Sequence, residues 1–254
     1  MPAAAAVIFM GGVTLALAVM IVVFLMAWEW GALVATSPAT LTRARVLLSA
    51  LGLATLATTV LFTASHGVFA AIGAYVVTMA LGRVMGMRSG LWAAAAVLSI
   101  TIPAIAVLWM RELPSLGLET VVWAIATVVA VDVGAYAAGR TIGGPRLWPR
   151  VSPSKTWAGL AGGAVAAVVV AGITTAVIGD ARLLVLVPVA IVLALTAQVG
   201  DLLESSVKRR FEVKDSGVLI PGHGGVLDRV DGQLTVLPLV AAAVWISGRS
   251  VLAW

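Results

Sequence analysis

The first residues, MPAAAAVIFMGGVTLALAVMIVVFLMAW (Met1–Trp28), carry no basic segment ahead of an apolar run that is too long for the core of a signal peptide. About 20 residues in a helix suffice to cross the roughly 30 Å of bilayer hydrocarbon. The stretch is therefore read as a retained first transmembrane helix. The same pattern recurs along the chain. Apolar runs at 3–27, 46–64, 67–82, 91–110, 119–139, 158–178, 183–200 and 232–248 predict about eight spans. The apolar stretch Val46–Gly82 is too long for one crossing, which places a turn at Ser65, His66 and Gly67 and makes His66 a turn residue rather than a ligand.

Composition agrees with this reading. Of 254 residues, 61% are hydrophobic and 11% charged, and the mean hydropathy is +1.11. A soluble domain of this size has too little interior to hide that surface. The expected fold is an all-α polytopic integral membrane helix bundle with a polar site on its cytoplasmic side. There are no cysteines, which leaves oxygen ligands or the two histidines for any metal. The net charge of +5 is read as cytoplasmic anchoring charge, with no nucleic-acid partner. With the N-terminus outside, the inner connections hold Arg43, Arg45, Arg83, Arg88, Arg140, Arg146, Arg150, Lys155, Lys208, Arg209, Arg210, Lys214 and Arg229, and only Arg111, Arg182 and Arg249 fall outside. The opposite orientation would invert the positive-inside tendency. Trp28, Trp30, Trp109, Trp148 and Trp157 fall near span ends, as interfacial anchors do.

Three polar sites interrupt the apolar background. Asp132 lies within a span and should face the bundle interior or a hydrated cavity; at helical spacing it shares a face with Tyr136 and Arg140. The segment VSPSKTWAG (Val151–Gly159) resembles a helix start, with Ser152 as cap, Pro153 at the first helical position, and Ser154 and Lys155 in the first turn, a suitable phosphate cradle. The third site, DLLESSVKRRFEVKDSGVLIPGHGGVLDRVD (Asp201–Asp231), interleaves acids with bases. Carboxylates hold cations while Lys and Arg take anions, so the mixture suggests metal-bound phosphate. If the seventh span continues as a helix, Asp201, Glu204, Ser205 and Lys208 form one polar stripe. Pro221, Gly222, His223, Gly224 and Gly225 form a turn whose glycines let backbone N–H groups approach an anion, and Asp228 and Asp231 follow on one face of the next helix.

This third stretch resembles the signature of the phosphatidate cytidylyltransferases, the CDP-diacylglycerol synthases. The match runs from Ser205 through Lys208, Arg209, Lys214, Asp215, Pro221, His223, Gly224 and Gly225 to Asp228, Arg229 and Asp231 without a break in spacing. The upstream GDLLES, the SPSKTWAG segment and the Asp132–Gly139 segment also look like family motifs, so the resemblance covers Ala130–Pro238. It implies N-terminal transmembrane helices at 1–118 and a catalytic region at 119–254, with the signature at 205–231. It further implies transfer of CMP from CTP to phosphatidic acid at a cell membrane, dependent on Mg²⁺ and allowing a second, monovalent cation. Asp201 and Asp228 are the expected metal ligands, Lys208, Arg209, Lys214 and Arg229 the phosphate holders, and Asp215, His223 and Asp231 further catalytic residues. Asp132, Tyr136, Ser154, Lys155, Gly224 and Gly225 are the expected substrate contacts. The partners are CTP, phosphatidic acid and the lipid bilayer, with a homodimer left open. The alternatives are a CTP-dependent enzyme acting on another lipid phosphate or a polyprenol, and a transporter. A transporter would show inverted halves with broken spans, whereas the charges here cluster on one side of the C-terminal half.

The asymmetry of basic residues makes a direct prediction. In this cysteine-free chain, single cysteines introduced near Arg146 and Phe211 react only with reagent supplied from the cytoplasm, and one near Leu116 only from outside. Labelling of position 211 from outside in sealed cells would overturn the orientation.

Overall fold

The computed structural model describes residues 2–179, 181–217, 219 and 224–254. The elements in order are α1 (Pro2–Met10), α2 (Gly12–Val34), α3 (Pro38–Leu61), α4 (Ala64–Val84), α5 (Gly90–Arg111), α6 (Gly117–Thr141), β1 (Arg146–Trp148), β2 (Ser152–Thr156), α7 (Trp157–Ile178), α8 (Leu183–Arg210) and α9 (Leu227–Ser247), ending in a 3-10 turn at Val251–Ala253. Among the described residues, α2 to α9 are the eight helices long and apolar enough to cross a membrane. The expected polytopic helical bundle is thus the fold.

Three expected boundaries move, each for a local reason. The first run divides at Gly11, whose φ of 63° and ψ of −158° stop α1, and α2 then continues to Val34 instead of ending at residue 27. Glu29, two residues beyond that expected end, is only 2% exposed and is supplied with backbone donors, so it does not terminate the helix. The turn expected at Ser65–Gly67 falls earlier. Thr63 adopts extended backbone and caps α4 by accepting from the His66 amide, and its Oγ1 lies 2.7 Å from His66 Nδ1. Ser152 and Pro153 do not start a helix. They lie in β2, which pairs antiparallel with β1; Pro153 is tolerated there because both strands of a two-stranded sheet are edges. The cap of α7 is Thr156, which accepts from the Gly159 amide at 3.0 Å, so Lys155 precedes the helix instead of sitting in its first turn. As expected, α8 continues beyond its apolar span and α9 contains both Asp228 and Asp231.

The helices gather into two compact units interleaved along the chain, residues 1–109 with 210–230 and residues 110–209 with 231–254. In the first, Val23, Val34, Leu48 and Leu56 are fully buried between α2 and α3 and their neighbours. Trp30 donates from Nε1 to the Trp92 carbonyl at 3.1 Å, and Phe211 meets the Trp92 ring edge-on with centroids 6.0 Å apart. The start of segment 210–230 is thereby fastened to α5.

In the second unit α6 and α7 pack closely along small residues. A Cβ at Gly162 would lie 2.7 Å from the Gly134 carbonyl oxygen, and a Cβ at Gly134 would lie 2.7 Å from that of Gly162. Without a hydrophobic drive between helices in lipid, such backbone proximity supplies the packing. Thr120 and Ser250 join at 2.6 Å between their hydroxyl oxygens and tie the C-terminal turn to α6. Gly162→Val is expected to cost about 1–3 kcal/mol by overpacking against backbone that has no rotamer to change. The check is the thermal midpoint of the protein in lipid nanodiscs, and an unchanged midpoint would contradict this packing.

Candidate active site

The second unit builds its polar group on α8 and α9. Gly200 immediately precedes Asp201, and a Cβ there would lie 2.8 Å from the Asp231 carbonyl oxygen. Thr235 donates from Oγ1 to the Thr196 carbonyl at 3.0 Å. The two backbones are therefore close where the acids project. Asp201 and Glu204, one turn apart on α8, come together with Asp231 of α9, each offering a carboxylate oxygen within 4.8 Å of the others, and all three are half-buried. Ser205 donates to Asp201 Oδ1 at 3.4 Å, and the Gly232 amide to Asp231 Oδ1 at 2.7 Å.

Two lysines enter the same group. Lys155 of β2 forms an ion pair with Asp201 Oδ2 and donates to Gln198 Oε1 at 3.3 Å. Lys208 pairs with Glu204 Oε2 at 2.5 Å, one helical turn along α8. The expected polar stripe of Asp201, Glu204, Ser205 and Lys208 is thus present, and the hairpin adds Lys155 to it. Arg209 is exposed and donates from Nε to the Val151 carbonyl at 3.4 Å, which ties the end of α8 to the hairpin. Ser154 is exposed, and its carbonyl accepts from Arg146 at 3.2 Å. On α6, Asp132 is exposed at the protein surface. Arg140 donates to the Tyr136 hydroxyl at 2.7 Å and lies 5.9 Å from its ring centroid.

The first unit builds a second polar group from segment 210–230. Asp228, in the first turn of α9, accepts at Oδ2 from the Gly225 amide at 2.8 Å and from the Ser216 amide and hydroxyl, each at 3.0 Å. Gly224, with φ of 79°, packs beside Asp228 and Asp215. The expected use of a positive-φ glycine in this turn is seen there. The Gly225 amide, expected to face an anion, instead serves Asp228. Lys214, Asp215 and Arg229 are exposed. His223, with Pro221 and Gly222, lies outside the described residues.

A divalent cation suits the α8–α9 group on the chemistry of its donors. Three carboxylates supply only hard oxygen ligands, which match Mg²⁺ better than a soft transition metal, and the two lysines paired with Asp201 and Glu204 offset only two of their three negative charges. Asp201 is common to this group and to the expected ligand pair. Within its unit its acidic neighbours are Glu204 and Asp231, with Asp132 of α6 near enough to interact electrostatically with Asp201 and Asp231, while Asp228 holds together the loop of the other unit. Glu204 lies on the predicted stripe but outside the expected ligands; its spacing of three residues from Asp201 was the available signal. Gln198, Ser216 and Glu29 were not expected at all. Only Glu29 gave a signal, as an acid between two tryptophans where an apolar run was thought to end.

Comparison with known proteins gives a consistent result. A family model described as the cytidylyltransferase family matches residues 1–247. The phosphatidate cytidylyltransferase of Brucella suis biovar 1 is 41% identical over 242 residues, covering 92% of this chain and 83% of that protein. Those of Staphylococcus saprophyticus and Bacillus subtilis are 40% identical over 149 residues and 42% identical over 135 residues, covering 58% and 52% of this chain and 57% and 49% of theirs. By this match along nearly its whole length, the chain belongs to the cytidylyltransferase family.

Proposed function

We propose that this protein is a membrane phosphatidate cytidylyltransferase, transferring CMP from CTP to phosphatidic acid to give CDP-diacylglycerol and pyrophosphate. The observation that carries the reading is the group of Asp201, Glu204 and Asp231 flanked by Lys155 and Lys208, in a chain of this family. Phosphatidate brings its own nucleophilic oxygen, so no Ser or Cys nucleophile is needed, and positioning with charge neutralisation can carry the catalysis. An oxygen of the lipid phosphate attacks the α-phosphorus of CTP; the new P–O bond forms as the bond to the bridging α–β oxygen breaks, and pyrophosphate leaves with that electron pair.

Asp201, Glu204 and Asp231 would hold Mg²⁺, which when bound offsets the negative charge of the phosphates. Lys155 and Lys208, now paired with those acids, turn to phosphate oxygens when the nucleotide and lipid are present. Arg209, Lys214 and Arg229 hold further phosphate oxygens, and Gly224 and Ser154 with Asp132 and Tyr136 contribute to substrate binding. Asp228 fixes the signature loop through Ser216 and Gly225 and through it places Lys214, Asp215 and Arg229. This reading puts the catalytic signature in region 119–254 and on the cytoplasmic face of the plasma membrane, an orientation supported by the positive-inside tendency of the basic residues.

The direct test is purified protein given labelled CTP and a panel of lipid phosphates. CDP-diacylglycerol and pyrophosphate in equal amounts are expected from phosphatidate, and activity confined to another lipid phosphate would overturn the reading. Asp201→Asn is expected to lower kcat about 100- to 1000-fold while still inserting in the membrane, because an oxyanion-stabilising contribution of about 3–4 kcal/mol is lost; near-normal Mg²⁺-dependent turnover would remove Asp201 from the site. Lys214→Gln is expected to cut kcat/KM for CTP severely, and adding Val213→Lys should not restore it, because a site charge must sit at one place whereas anchoring charges, at about 1 kcal/mol each, are interchangeable. Rescue by the shifted lysine would return Lys214 to an anchoring role.

A further inference from the structure

Glu29 is a carboxylate inside the apolar helix α2 and is 2% exposed. Placing such a group in a membrane span costs several kcal/mol on the order of 3 unless donors meet it. Donors do meet it: the amides of Val226 at 2.8 Å and Leu227 at 3.0 Å, with the Ser216 hydroxyl at 3.5 Å. The first two are amides at the N-terminus of α9, which no residue within that helix can satisfy, and a negative charge there is favoured by the helix dipole. The cap is supplied from a residue nearly two hundred positions away in sequence. Two glycines make room for it. A Cβ at Gly217 would lie 2.7 Å from Glu29 Oε1, and one at Gly225 would lie 2.7 Å from Oε2. Neither glycine has a positive φ, so close approach, and not backbone conformation, is what favours glycine at both places: of the Glu29 carboxylate at Gly217, and of that carboxylate together with the Ser216 hydroxyl at Gly225.

The same short loop carries Asp228. Ser216 gives its amide to Asp228 and has its one hydroxyl proton between Asp228, at 3.0 Å, and Glu29, at 3.5 Å, and Gly225, against which the Glu29 carboxylate packs, donates its amide to Asp228. Two carboxylates, one from α2 and one from α9, thus divide between them the donors of residues 216 and 225–227. We propose that Glu29 is a positioning residue for cytidylyl transfer: by capping α9 and seating Gly217 and Gly225 it fixes the loop that carries Lys214 and Asp215 and the first turn of α9 that carries Asp228 and Arg229. It touches no reacting atom itself. Gln in its place keeps the volume but presents an NH₂ group to one of the amide donors, so the loop is held by one contact fewer.

This inference rests on the cytidylyltransferase reading, and the two fail separately. Wild-type protein that makes no CDP-lipid refutes the reading; wild-type that makes it at the same rate as Glu29→Gln refutes only the role of Glu29. In lipid nanodiscs at a temperature where both are folded, Glu29→Gln is expected to lose about 100-fold in kcat, the scale of an ångström of misplacement at a reacting centre, with KM for CTP nearly unchanged. Leu48→Ala, a cavity in the core of the same unit, is the control: it lowers the thermal midpoint but keeps kcat. A reading independent of turnover is hydrogen–deuterium exchange without substrate. Faster exchange confined to peptides spanning 215–229 supports the proposal, and unchanged exchange there, or loss of kcat in Leu48→Ala equal to that in Glu29→Gln, overturns it. Should Glu29→Gln fail to accumulate, Glu29→Asp, which withdraws the carboxylate by one methylene, is read by the same measurements and the same criteria.

Discussion

Carboxylates set into apolar helices are the constraint on which the rest of the structure depends. An acid in a membrane span is costly unless cations, hydroxyls or unsatisfied amides reach it. The chain meets this demand in two ways. Asp201, Glu204 and Asp231 are brought together by the close approach of α8 and α9 and are met by Lys155 and Lys208. Glu29 and Asp228 are met by backbone amides and the Ser216 hydroxyl. The first solution sets two lysines against three carboxylates. The second fixes backbone.

Small residues are how the sequence achieves both. Gly200 lets α9 approach α8 beside Asp201, and Gly217 and Gly225 let the Glu29 carboxylate enter the signature loop. Glycine in a signature is often read as freedom to adopt positive φ, and Gly224 does so. Gly225, its neighbour, is glycine for another reason: space for the Ser216 hydroxyl and for a carboxylate from a distant helix. A phosphate-cradling reading of the whole turn would miss that difference.

Much of this was legible in the sequence. Spans follow from the length of apolar runs, and the stripe of Asp201, Glu204, Ser205 and Lys208 follows from helical spacing, because both depend on local periodicity alone. What failed was local competition. Ser152 and Pro153 satisfy the rules for a helix start, yet pairing with Arg146–Trp148 draws them into a hairpin and leaves Thr156 to cap α7. What could not be read was long-range. Nothing near Glu29 announces that its donors lie at Val226 and Leu227, nor that Asp201 would gather with Asp231 and Asp228 with Ser216, since α9 carries both aspartates on similar terms.

The central claim is that the lipid phosphate attacks the α-phosphorus of CTP and that the β- and γ-phosphates leave together. It is tested most directly by supplying purified protein and phosphatidate with CTP labelled either at the α- or at the γ-phosphorus. The account predicts that α-label enters the lipid fraction while γ-label is recovered only as pyrophosphate. Transfer of γ-label to lipid, with CDP released, would show a kinase and contradict it.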